Sequence, residues 1–175
     1  MFWVAAETGM RASELLALEW AAVDLDSRVA WARKSAWRDG TLHTTKSSKP
    51  RAFVISGVLA GYLRIHRRDG HSLVWQTSGG KPYDQGNLRR ALYEILDRLR
   101  IPQAGMHAFW HGNETIMDRL NTPPKLRQQR LGHSDERMMM RYSHVVSEDE
   151  ITLAEKLGAM LSPKLDSKLD PQSVN

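Results

Sequence analysis

Five side chains scattered through this chain are of types that do chemistry: Arg11, Lys46, His107, His133 and Tyr142. Tyr142 lies in the run Arg141-Tyr142-Ser143-His144. A phenol gives up its proton at a pKa of about 10, so it attacks well only where cationic neighbours help it ionise. Taken singly, each residue also has a bland reading. Arg11 follows Thr8-Gly9-Met10 at a helix start, where an arginine is commonly a solvated charge. Lys46 stands at a strand end before a turn, a commonplace site for lysine. His133 follows Gly132 at a helix end, where capping explains it, and Tyr142 could be a core or rim tyrosine. His107 and His111 are spaced four apart and share a helix face. Such a pair can hold a metal, but the metalloprotease pattern needs a glutamate directly after the first histidine. Ala108 stands there, and no third ligand is evident.

Order and local context carry more than any single residue. Thr8-Gly9-Met10-Arg11-Ala12-Ser13-Glu14-Leu15-Leu16-Ala17-Leu18 resembles the first signature of the tyrosine recombinases, the phage integrase family. Thr45-Lys46, followed by Arg51 and a strand, resembles that family's catalytic lysine segment. His107-Ala108-Phe109-Trp110-His111-Gly112 is similar to the second signature, whose pattern is His, two residues, Arg, His. Leu131-Gly132-His133-Ser134 and Arg141-Tyr142-Ser143-His144 match the last two. The resemblance extends to about Met160. It implies a catalytic-domain fold that is mainly α with a small antiparallel β-sheet, and site-specific recombination of double-stranded DNA. By resemblance, Tyr142 is the nucleophile that forms a 3′-phosphotyrosyl link. Lys46 protonates the departing 5′ oxygen. Arg11, His107 and His133 hold the phosphate. Fixed donors around developing phosphate charge are usually the largest catalytic term, and guanidinium suits the task because it stays charged and forked. No metal or other cofactor is implied, because the arginines replace a metal's charge.

One part departs from the pattern. Trp110 stands where the second arginine belongs. Indole offers one neutral donor and no charge. Loss of one such donor typically costs roughly 10²–10³ in rate, and the ring is expected to fill the phosphate pocket. His111 points about 100° around the helix and is a poor substitute. A shifted helix bringing Arg119 into the site is the remaining structural alternative. The expectation is therefore a recombinase fold with DNA affinity and impaired cleavage, with a non-catalytic DNA-binding remnant as the alternative. Type IB topoisomerases share the chemistry, but the local motifs are closer to integrases.

The elements that must position these residues can be read from pattern. Apolar residues from Met1 to Thr8 read as the last turns of a helix broken by Gly9, as in a fragment or a gene lacking its 5′ part. A second short helix carries Leu15, Leu16 and Leu18, with Trp20 near its end. Val29 to Ser35 alternates as a strand, Asp39-Gly40 signals a hairpin, and Leu42–Thr45 and Ala52–Ile55 complete one small antiparallel sheet. Helices are predicted over Val58–Arg67, Leu88–Leu99, His107–Leu120, Pro124–Leu131, Asp135–Arg141 and, behind a Ser147 capping box, through Met160. Leu88, Leu92, Ile95, Leu96 and Leu99 form one apolar face.

The chain has 175 residues, no cysteine and a net charge of +5. The charge has the right sign for a phosphate-rich partner. The lack of cysteine excludes disulfides and thiolate metal sites and fits a reducing cytoplasm. No apolar run approaches the roughly 18–20 residues that span a bilayer. One domain over residues 1–161 and a disordered tail over 162–175 are expected. Ile151, Leu153, Ala154, Leu157 and Leu161 form a face on the last helix that serves either self-association of residues 147–161 or packing on the chain's own core.

Overall fold

A computed structural model describes residues 1–37, 39–44, 50–131 and 147–162. The architecture is mainly helical with two small antiparallel sheets. Helices α1 (Phe2–Thr8) and α2 (Ala12–Leu16) come first, then a 3₁₀ turn over Trp20–Ala22. Strands β1 (Val23–Asp24), β2 (Val29–Ala32), β3 (Lys34–Ala36), β4 (Leu42–Thr44) and β5 (Arg51–Val54) follow. Helices α3 (Gly57–His66), α4 (Gln85–Arg98), α5 (His107–Arg119), α6 (Pro124–Leu131) and α7 (Glu148–Leu161) complete the described elements.

The predicted strand from Val29 to Ser35 is broken at Arg33. Among the described residues β2 pairs with β1 and β5, whereas β3 pairs with β4, which gives two sheets instead of one. The chain changes partner at Arg33, which is exposed and lays its guanidinium over the Trp31 ring at 5.4 Å. Alternation of apolar and polar residues reports a pleated strand but not which strand lies beside it. Trp20 belongs to the 3₁₀ turn, not to the second helix, which ends at Leu16.

Short polar side chains set three of the seven described α-helix starts. Ser56 Oγ accepts the Leu59 N–H, Asp84 Oδ1 accepts the Asn87 N–H, and Ser147 Oγ accepts the Glu150 N–H. Each satisfies a donor that the first helical turn leaves unpaired. The Asp84 cap starts α4 three residues ahead of Leu88. Of its expected apolar face only Leu88 and Leu92 are buried, and Leu99 is 61% exposed. Ile95 and Leu96 are half-buried, so burial fades along the second half of the helix and periodicity overstated the buried length.

The main core joins α1, α2, β2, β5 and α3 through Val4, Met10, Leu15, Phe53, Leu59 and Leu63. A second cluster joins α5, α6 and α7 through Trp110, Met117, Leu126, Leu131, Leu153 and Leu157. The face of α7 thus folds back on its own chain. Gly158 of α7 comes so close to α3 that a Cβ there would overlap the Ser56 side chain. Glu155 fixes the same contact by accepting the Gly57 N–H at 3.1 Å and pairing with Arg28. The predicted helix over Asp135–Arg141 lies outside the described residues, as does the expected tail beyond Ser162.

Charged groups are buried where the two clusters meet. Glu7 accepts both the backbone N–H (2.6 Å) and the hydroxyl (3.0 Å) of Ser56. Arg130 is buried near Glu7 and Glu150, and burial lowers its pKa to about 10. Burial also raises the Glu7 and Glu150 carboxyls above their ordinary range. An acid with a raised native pKa keeps its proton in the folded state after the unfolded chain has lost it. Its contribution therefore favours folding at low pH and is lost as pH rises from the ordinary value of 4.5 through the raised native one. The lowered carboxyls of Asp24 and Asp39 act below 3.8 and do not overlap this window. We expect Glu7→Gln to remove part of the stability loss between pH 4.5 and neutrality, seen in denaturant melts across that range. A variant whose pH profile matches the parent's would show that Glu7 ionises alike in both states.

Candidate active site

Arg11 is placed by the turn that ends α1. Thr8 Oγ1 donates to the Val4 carbonyl at 2.6 Å and accepts the Met10 N–H at 3.2 Å. Gly9 takes the left-handed conformation at φ 67°, and its N–H closes on Ala5 O. This is the helix-ending geometry that glycine adopts most readily. The carbonyls of Ala6 and Glu7 both accept Asn113 Nδ2 of α5 at 2.9 Å, and Arg130 of α6 donates to Glu7 O at 2.9 Å. The turn is thereby locked to the helices behind it. It delivers Arg11 to the start of α2 in an extended conformation, φ −67° and ψ 150°.

The Arg11 side chain is 50% exposed and pairs with Glu14, whose side chain is only 5% exposed. Glu14 Oε2 accepts the Arg11 backbone N–H at 3.0 Å, and Oε1 accepts Arg11 Nη1 at 3.2 Å. Glu14 also accepts Nη2 of Arg51, the first residue of β5, whose side chain is 9% exposed. One carboxylate thus joins two guanidiniums. Burial lowers the Arg51 pKa, Glu14 opposes that shift, and Arg11 adds to it by like-charge repulsion. Sequence reading noted Arg51 only as a residue after the lysine hairpin. Its bond to Glu14 spans 37 positions and has no local signature.

His107 opens α5 and is exposed. Met106, immediately before it, lines a cavity of about 430 Å³ together with Ala12, Asp84, Gln85 and Arg89. The residues next to Arg11 and His107 therefore open on the same concavity. The Trp110 ring is covered by its own chain, 8% exposed. It lies on the buried stripe of α5, with Asn113 and Met117, and packs with Leu126, Leu131, Leu153 and Leu157. Its Nε1 lies 3.5 Å from Leu131 O, and one face stacks on His107 at 5.2 Å. Burial of a large aromatic surface favours this placement over one in the open. His111 is exposed and lies 3.9 Å from Glu114. Arg119 ends α5, twelve residues after His107 and so about 18 Å along the axis. Lys46, His133 and Tyr142 lie outside the described residues. Among the described residues no group of three or more His, Cys, Asp or Glu could hold a metal, and no helix is long and apolar enough to cross a membrane.

The sequence pattern of the phage integrase family matches residues 1–149. The chain belongs to the phage integrase family. It is 25% identical to an integrase of a Staphylococcus phage, over 88% of this chain and 49% of that protein. It is 23% identical to a XerC-like tyrosine recombinase of Caldanaerobacter subterraneus subsp. tengcongensis, over 90% of this chain and 48% of that protein. The chain spans about half the length of these curated relatives. In fold it is similar to the integrase of the Tn1549 transposon, solved with a circular intermediate DNA (TM-score 0.66, 19% identity, 89% of this chain and 56% of that one). It is similar also to XerA recombinase (TM-score 0.60, 18% identity, 92% and 56%). This member of the family carries its first signature on a turn that tolerates little change. Any Cβ at position 9 would lie 3.3 Å from Asn113 Oδ1, in a backbone region that side chains avoid. We expect Gly9→Ala to destabilise the fold by about 1–2 kcal/mol, measured by denaturant unfolding. A change within error would mean that the turn readily takes another conformation.

Proposed function

We propose that residues 1–161 form a catalytic domain that cuts and rejoins double-stranded DNA through a 3′-phosphotyrosyl intermediate on Tyr142. Membership of the phage integrase family carries this reading, with the family's signatures in order along the chain. Arg11 is the phosphate clamp, half-exposed at a rigid turn with its charge directed by Glu14. His107 and His133 donate to the same phosphate. Lys46 is the general acid to the 5′ oxygen that leaves. The energy of the broken phosphodiester is conserved in the phosphotyrosine, so a 5′ hydroxyl of another strand reverses the step without ATP.

Trp110 sets the rate. With a core indole at the second arginine's position, the phosphate has one fewer charged donor, and cleavage is slow relative to DNA binding. A second reading, a non-catalytic DNA-binding remnant, is favoured by the same observation, because position 110 serves packing here. Any self-association of α7 is left to Ile151, Met160 and Leu161, since Leu153, Ala154 and Leu157 are buried within the chain's own core.

A nicked suicide duplex distinguishes the two readings. We expect a slow, SDS-resistant protein–DNA adduct that disappears in Tyr142→Phe. Duplex retardation with no adduct under any condition supports the remnant instead. Trp110→Arg is expected to raise adduct formation by roughly 10²-fold, with cooperative unfolding checked because the indole leaves the core. If the folded revertant remains as inert as the parent, position 110 is not the source of the impairment.

A further inference from the structure

The reading of Arg11 as a phosphate clamp leaves a charge problem. Glu14 is buried and its carboxylate bonds to Arg11 twice, once through the backbone and once through Nη1. An arginine paired one to one with a buried carboxylate is close to neutral as seen by an approaching anion. The pairing that orients Arg11 would therefore also cancel what it has to offer. Arg51 changes the balance. It donates to the same carboxylate from the opposite strand end, so the three groups together keep one net positive charge. Only Arg11 of the two cations is half-exposed, so that surplus is presented where an anion can reach it.

We propose that Arg51 is a positioning residue for Arg11: it neutralises Glu14, so that Glu14 can orient Arg11 without cancelling the charge shown to a DNA phosphate. This rests on the strand-transfer reading given above. Stability by itself does not account for Arg51. Its Nη1 is buried without a hydrogen-bond partner among the described residues, which costs free energy. Replacing a buried ion pair by apolar groups is often neutral or stabilising. The guanidinium is nevertheless held in place. It lies 5.1 Å from the centre of the Phe53 ring, on a strand paired through Ala32. The arrangement is a charge compensator mounted on the sheet, outside the helix that carries the clamp.

The test is a substitution cycle with two readouts. Inorganic phosphate is titrated while the Arg11 Nε–Hε resonance is followed, and a short duplex of mixed sequence is bound at two salt concentrations. Arg51→Met should weaken both by roughly tenfold, since Glu14 then cancels Arg11 at close range. Arg51→Lys keeps the charge but loses the planar fork stacked on Phe53, and should retain clearly more affinity than Arg51→Met. Adding Glu14→Gln to Arg51→Met should restore affinity, a recovery that a purely structural role would not produce. If Arg51→Met leaves affinity intact, or if the double variant is no better than the single one, the proposal is overturned. Should Arg51→Met fail to fold, Glu14→Gln is compared with Glu14→Gln/Arg51→Met. With no carboxylate to neutralise, loss of Arg51 should then matter little, and a large loss there also overturns the idea. A phosphate response following this pattern in a chain that never forms a Tyr142 adduct keeps the compensator and removes the strand-transfer reading. Normal adduct with a phosphate response insensitive to Arg51 does the reverse.

Discussion

The C-terminal end of α1 is buried, and a helix end leaves carbonyls that its own turns cannot satisfy. In most helices water takes them. Here Asn113 of α5 and Arg130 of α6 take the carbonyls of Ala6 and Glu7 instead. Arg130 reaches further, to Val54 O at the end of β5. Three elements far apart in sequence are thereby fixed to one helix end. The Thr8–Met10 turn, the extended Arg11 and the start of α2 all inherit their positions from that junction.

This junction also explains why so much charge is buried in so small a protein. Glu7, Arg130 and Glu150 lie where the two core clusters meet, and Glu14 and Arg51 lie behind Arg11. Buried charges are tolerated only where partners compensate their desolvation. Compensation is incomplete in each group, since Arg130 Nε, Asn113 Oδ1 and Arg51 Nη1 have no hydrogen-bond partner among the described residues. Apolar contacts on either side hold these groups together.

Position 110 shows a tension between core and site. It is close enough to His107 for their rings to stack, yet it sits on the stripe of α5 that faces Leu131 and Leu157. An arginine there would have to carry its charge past that apolar lining, keeping its stem buried and its head outside. Tryptophan resolves the conflict in favour of packing. The chemistry expected from the motif and the burial found in the fold are set against each other at this one residue.

Much of the fold and part of the site were legible from the sequence alone. Local signals carried the helix cap at Ser147, the break at Gly9, the Asp39-Gly40 hairpin and the existence of α4 to α6, because capping, turn geometry and helical period depend on neighbours in the chain. The motif order pointed to the family. Pairing and burial were not legible in the same way. Nothing local says that the alternating run after Val29 changes sheets at Arg33, that Leu99 stays exposed, or that Trp110 turns inward. The link between Glu14 and Arg51 is of the same kind. Residue types and their order are properties of the chain. Which carboxylate meets which guanidinium, and which ring is covered, depend on packing between distant segments, and that is set only when the whole chain has closed.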